Sequence, residues 1–273
     1  MKHLVAVLIA SFGVTSALAA DLPARTYVDP VYDWSGFYIG ANIGYSWGRS
    51  GDTSSLSNGA GTVLFTSAGS SNLNGVVGGE QVGYNWQQQN WVWGLEADIQ
   101  GTGERGSRGF TCPAGVCTPP TGVFRGIGFA TTPGDAVPVS LDQKIAWFGT
   151  VRGRAGLLVS PKVLFYATGG LAYGEVRSSE TIGGPTGLSN ADARVGYTVG
   201  AGIEGAIGGN WTAKLEYLYV DLGRTSGSFA TTIPALGGGN SAPLTSSYSS
   251  RITDNVLRVG VNYKFAGPVV AKY

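Results

Sequence analysis

The sequence predicts an all-β fold: an eight-stranded antiparallel up-and-down transmembrane β-barrel with short periplasmic turns and long extracellular loops. Three observations carry that prediction. Of 273 residues, 45 are Gly, 7 Trp and 13 Tyr. Gly in a helix interior costs about 1 kcal/mol and aromatics lose rotamer freedom there, while disorder does not tolerate so many aromatics, so the chain is strand-rich. Charged residues make up 13% although hydrophobic content is an ordinary 43%, whereas a soluble domain carries roughly 25% charged residues. Past the N terminus no apolar run approaches the ~18 residues of a membrane-spanning helix; apolar residues recur instead at every second position.

The chain divides into residues 1–19 as a signal peptide, 20–34 as a periplasmic N-terminal segment, 35–265 as the barrel and 266–273 as a C-terminal tail. Lys2 and His3 precede an apolar core from Leu4 to Val14, and Ala17-Leu18-Ala19 makes a small-residue cleavage site. Cleavage there removes the only His and the only Met of the chain. Eighteen basic and seventeen acidic residues, with neither sign in long runs, argue against a nucleic-acid partner.

The first strand opens at Gly36. Phe37, Ile39, Ala41, Ile43, Tyr45 and Trp47 share one face, and Tyr38, Gly40, Asn42, Gly44 and Ser46 the other. An apolar face with aromatics near both ends, backed by a small polar face, suits lipid outside and a narrow lumen inside. The same alternation places strands around Val82 to Trp86, Trp91 to Ile99, Ile145 to Ala155, Phe165 to Tyr173, Val195 to Ile203, Trp211 to Tyr219 and Leu257 to Phe265. In this reading Ile145 lies on the lipid face and Lys144 on the lumen face. Connections alternate between short ones at Gln88, Ser160 and Gly209 and long ones over 49–72, 102–141, 177–192 and 224–249, as in a meander with tight turns at one end. A soluble barrel would put its apolar face inside and its charges outside; here the mid-strand charges share the face of Gly, Ser and Thr.

That face collects Glu96, Asp98, Glu204 and Glu216 against Lys144, Arg152, Arg154, Lys214, Arg258 and Lys264. Eight strands enclose a lumen just wide enough for side chains, where opposite charges pair because an unpaired buried ion is costly. Two uses of these charges are weighed: salt bridges that fill the lumen, and an ion-conducting eyelet. Arg152 and Arg154, on one face, are expected beside Glu96 and Asp98 of the preceding strand. Cys112 and Cys117, in an exported chain, are expected to close a small disulfide loop; a zinc site would need ligands that the mature chain lacks. No catalytic, cofactor-binding or metal-binding residue is assigned, and no cofactor. Without His the mature chain has no His-based nucleophile activation, and the glycines from Gly169 to Gly174 are followed by no Gly-Lys-Ser/Thr.

The segment from Asp33 to Gly48 resembles the opening strand of small alphaproteobacterial outer-membrane proteins of the opacity-type porin family. So do Gln81 to Trp86, Gly94 to Asp98, Trp147 to Arg154, Tyr166 to Gly174 and the closing Arg258 to Phe265. The resemblance covers nearly the whole mature chain. It implies an OmpA-like barrel in the cell outer membrane, structural and surface-exposed, with outer-membrane lipids and the assembly machinery as partners. Weak self-association stays open. Some relatives are described as porins and some as hemin binders, so a structural or weakly conducting porin-like barrel is the first reading and an extracellular-loop ligand binder the second; an axial hemin ligand would have to be a loop tyrosine such as Tyr248. Such barrels usually end on an aromatic residue, and either Phe265 or Tyr273 fills that role.

Overall fold

Alternation along each strand and pairing between strands turn this pattern into a closed wall. The computed structural model describes residues 32–112, 137–182, 187–233 and 242–265, within a unit that begins at Tyr32. In chain order the strands are β1 Gly36–Asn58, β2 Val63–Gln88, β3 Trp91–Thr102, β4 Arg105–Cys112, β5 Val137–Ser160, β6 Val163–Ile182, β7 Gly187–Gly208, β8 Trp211–Ile233 and β9 Ala242–Lys264. β3 and β4 are the two halves of one stave interrupted at Gly103 and Glu104, since both pair with β2 on one side and β5 on the other. Eight antiparallel staves result. β1 closes the ring by pairing with β2 and with β9, so no stave is left as an unpaired edge.

Apart from β3 and β4 the strands run 20 to 26 residues. At ~3.3 Å per residue that is about twice the ten-residue crossing of an outer membrane. Much of what the sequence suggests as long loops is therefore paired strand: β1 and β2 stay in register from Gly36↔Asn85 to Leu56↔Phe65, and only residues 59–62 connect them. Ser- and Thr-rich segments carry no apolar face to reveal them, but a neighbour extending in register gives their backbone groups partners. The opposite end has two-residue turns at 89–90, 161–162 and 209–210. Residues 1–31, including the expected signal peptide, lie outside the described residues, as do Cys117, the side chain of Cys112 and Tyr273.

The outer face is apolar across the middle of the wall, where Ile43, Leu95, Ile99, Leu171 and Val199 are about half exposed or more. Aromatics border it on both sides. Near the tight turns stand Phe37, Trp93, Trp211, Tyr263 and Phe265, with Phe265 packed 5.6 Å from Phe37. Trp47, Trp147, Tyr173, Tyr197 and Tyr219 form the far belt, with Trp147 against Tyr173 at 6.1 Å and Tyr197 against Tyr219 at 6.3 Å. Within the apolar band one charge departs from the expected segregation. Glu80 faces outward opposite Ala41 and Ile99, six residues from Trp86 and six from Asn74 along β2, which is the middle of the apolar band.

Inside, two apolar clusters flank a polar layer. Trp34, Val92, Leu164 and Tyr166 pack at the tight-turn end, where Trp34 donates its backbone N–H to Gln87 (2.8 Å) and its indole N–H to the Pro161 carbonyl (3.3 Å). The other cluster holds Leu73, Ile145, Phe148, Leu218, Ile252 and Val256 among its buried members.

The charged layer of the lumen

Register sets which charges share a level of the lumen. β3 and β5 place Glu96 directly opposite Arg152, β8 and β9 place Glu216 opposite Arg258, and β7 and β8 place Glu204 opposite Lys214. Each of these side chains lies on the small-residue face and points inward, so ladder neighbours and residues across the lumen share one layer. Arg152 is its hub, bonded to Glu96, to Asp98 at 2.9 Å and to Glu216 at 3.1 Å. Arg258 grips Glu216 through Nε at 2.7 Å and Nη2 at 2.6 Å and reaches Asp98 at 2.9 Å. Lys214 sits 3.0 Å from both oxygens of Glu96, and Arg154 bonds Glu204 at 2.6 Å. Four carboxylates thus face four cations, and none of the eight residues is more than 5% exposed. Equal numbers of opposite charge at bonding distance are what makes burial of so many ions tolerable.

Two of the ten expected lumen charges are elsewhere. Lys144 points outward, because the β5–β6 register slips by one residue between Ile145 and Trp147; this bulge at Ala146 inverts the faces, burying Ile145 and exposing Lys144. Lys264 has the inward parity but lies at the mouth, partly exposed, where its ammonium donates to the Asp33 carbonyl and stands 4.7 Å over the Tyr32 ring.

The layer also uses neutral groups that charge reading passed over. The Tyr38 hydroxyl donates to Glu96 at 2.7 Å and the Tyr166 hydroxyl to Glu216 at 3.0 Å. Thr150 donates to Asp98 at 2.9 Å, while Thr212 (2.5 Å) and Asn262 (2.8 Å) donate to Glu204. The signal was present: Tyr38 and Tyr166 are large aromatics at inward positions on an otherwise small face. Glycine makes their room. A Cβ on Gly202 would stand 2.6 Å from the Tyr166 phenol, so only a bare backbone lets that ring lie along the wall and carry Arg154 4.0 Å over its face. Among the described residues no three His, Cys, Asp or Glu side chains converge as metal ligands.

A closed ring of staves with an apolar waist between two aromatic belts defines a transmembrane β-barrel of the outer-membrane type. A model of the outer membrane protein beta-barrel domain matches residues 5–265, and the chain belongs to that family. It is similar to the 31 kDa outer-membrane immunogenic protein of Brucella melitensis, with 34% identity over 97% of this chain and 100% of that one. It is also similar to the 22 kDa outer membrane protein of Rhizobium leguminosarum, with 31% identity over 71% of this chain and 67% of that one. Among solved structures, the outer membrane protein OprG of Pseudomonas aeruginosa aligns over 85% of this chain and 97% of that one, at 12% identity and a TM-score of 0.40, a likeness too weak to carry an argument. The chain is an outer-membrane protein.

Proposed function

We propose that this protein is a structural, surface-exposed barrel whose lumen is shut by its own side chains. The stacking of the lumen carries the reading: Trp34 and Leu164 pack at the periplasmic mouth, the neutralised charged layer follows, and Phe148, Leu218 and Val256 fill the next level together with their buried register partners Gln100 and Ser46, each of the five apolar side chains being at most 1% exposed. An ion crossing this stack would have to part ion pairs and then displace the buried side chains of a largely apolar level, which is unfavourable at both steps. Glu96 and Asp98, a carboxylate pair that could in principle exchange protons, are both held by Arg152, which supports a non-catalytic role.

Planar-bilayer recording of the purified full chain tests the proposal. Silence is expected from the parent, and steps from a Phe148→Gly, Leu218→Gly variant that opens the apolar level. A steady, large conductance of the parent would overturn it. Hemin binding ranks second, because the Tyr248 hydroxyl is engaged with Asp192 (3.2 Å) and Asn190 (3.1 Å) and is not free to serve as an axial ligand. Tight, saturable hemin titration would reverse that order.

A further inference from the structure

The outward-facing cations are confined to one side of the wall. Among the described residues, every Arg or Lys that points outward from a stave, namely Arg49, Arg105, Lys144, Arg177, Arg224 and Arg251, lies on the extracellular side of the far aromatic belt. Arg49 is the next outward position beyond Trp47, and Lys144 the next beyond Trp147 once the bulge is passed. Aromatic belts mark the membrane–water interface, so this is the depth of the outer-leaflet headgroups.

On one flank these cations are concentrated. Arg105, Lys144 and Arg177 are direct register partners on β4, β5 and β6, and Arg49 stands on β1 beyond Asn72 of β2. Like charges directly opposite on neighbouring strands destabilise a sheet. Arg177 has Glu175 at 2.6 Å, and Arg251 on the other flank has Asp221 within bonding reach, but among the described residues no carboxylate lies within 4.0 Å of the cationic atoms of Arg49, Arg105 or Lys144. The four side chains line a shallow concavity of about 1050 Å³ otherwise walled mainly by Ser and Asn, with Asp142 its one acidic member. A repulsive row at headgroup depth, opening on a concavity where, among the described residues, four cations face Glu175 on Arg177 and Asp142 as the acidic groups, has positive charge to spare for an anion from outside the chain.

We propose that Arg49, Arg105, Lys144 and Arg177 form a cradle for the phosphates of an outer-leaflet glycolipid. The anion that a lipid presents at this depth is a headgroup phosphate, and forked guanidiniums bind phosphate bidentately. The acyl chains would lie along the apolar waist below. The proposal is independent of whether the lumen conducts.

Native mass spectrometry of the folded full chain in detergent tests it, with bis-phosphorylated lipid A, its dephosphorylated form and inorganic phosphate as probes. The expected result is one saturable adduct with the bis-phosphorylated lipid, at least tenfold tighter than with the dephosphorylated one, weakening as salt rises. Arg105→Gln with Lys144→Gln should abolish that preference, while Arg224→Gln on the far flank should keep it. Folding of each variant is checked by heat-modifiable gel migration; if the double variant does not fold, the single Arg105→Gln should still cut the preference at least threefold. Equal affinity for both lipids, an unchanged preference in the variants, or inorganic phosphate binding as tightly as the lipid would each overturn the assignment.

Discussion

Replacing Arg152 by Met keeps roughly the length of the side chain and removes the hub of the lumen layer. The parent layer is neutral, with Glu96, Asp98, Glu204 and Glu216 against Arg152, Arg154, Lys214 and Arg258. The variant carries one uncompensated negative charge, and three carboxylates each lose a bond to a guanidinium that is wholly buried. Taking away one partner of a buried ion pair costs about 3–5 kcal/mol, mostly through the desolvated charge left behind. The structure also says how to recover that loss. Adding Asp98→Asn restores neutrality and leaves three acids against three bases, Glu216 with Arg258, Glu96 with Lys214 and Glu204 with Arg154, linked through the longer contacts of Glu96 to Arg154 and Arg258. The double variant should therefore be more stable than Arg152→Met alone, with a coupling of about 1–3 kcal/mol between the two sites. Urea titration of the folded chain in phospholipid vesicles, read by Trp fluorescence and by gel migration without heating, measures both quantities. An Arg152→Met variant within about 1 kcal/mol of the parent, and no gain from the second change, would mean a hydrated lumen with screened charges and would refute the desolvation argument.

Glu80→Leu should stabilise the barrel in vesicles by about 1–3 kcal/mol, since a carboxylate facing lipid at mid-depth is a smaller version of the ~2–4 kcal/mol measured for Arg or Lys there; an unchanged urea midpoint would place Glu80 outside the hydrocarbon. Gly202→Ala should destabilise by about 1–3 kcal/mol through overpacking against Tyr166, which loses its position beside Glu216, and the same titration reads it. Cys112 and Cys117 are expected to be joined, with a stabilisation at the low end of the ~2–4 kcal/mol typical of disulfides because the closed ring is small. Alkylation and mass spectrometry of freshly isolated protein would expose the error as free thiols.

How much of this could be read from the chain depends on whether a residue's neighbour in sequence also sets its face. Along β3, the first ten residues of β8 and most of β9 the alternation is unbroken, and the sequence assigns Glu96, Asp98, Lys214, Glu216 and Arg258 to the face they occupy; Arg152 and Arg154 follow because Thr150 to Ala155 repeat the same pattern. Lys144 is lost to one inserted residue. Alternation has no memory, so the bulge at Ala146 inverts every position beyond it, and Ile145 beside Trp147 looks lipid-facing to any argument that counts by twos. A second limit is compositional. Residues 49–58 and 63–72 carry few apolar side chains, so nothing in them alternates visibly, and their strand character comes from the partner chain segment rather than from themselves. The third concerns partners across the lumen. Register links Glu204 with Lys214, yet Lys214 bonds Glu96, and Glu204 takes Arg154, contacts that bridge staves distant in the chain. Local pattern can say that these four acids and four bases share the lumen face; only the closure of the ring decides which acid each base finds, and that choice gives Arg152 direct bonds to Glu96, Asp98 and Glu216 and makes its loss one the barrel should feel strongly.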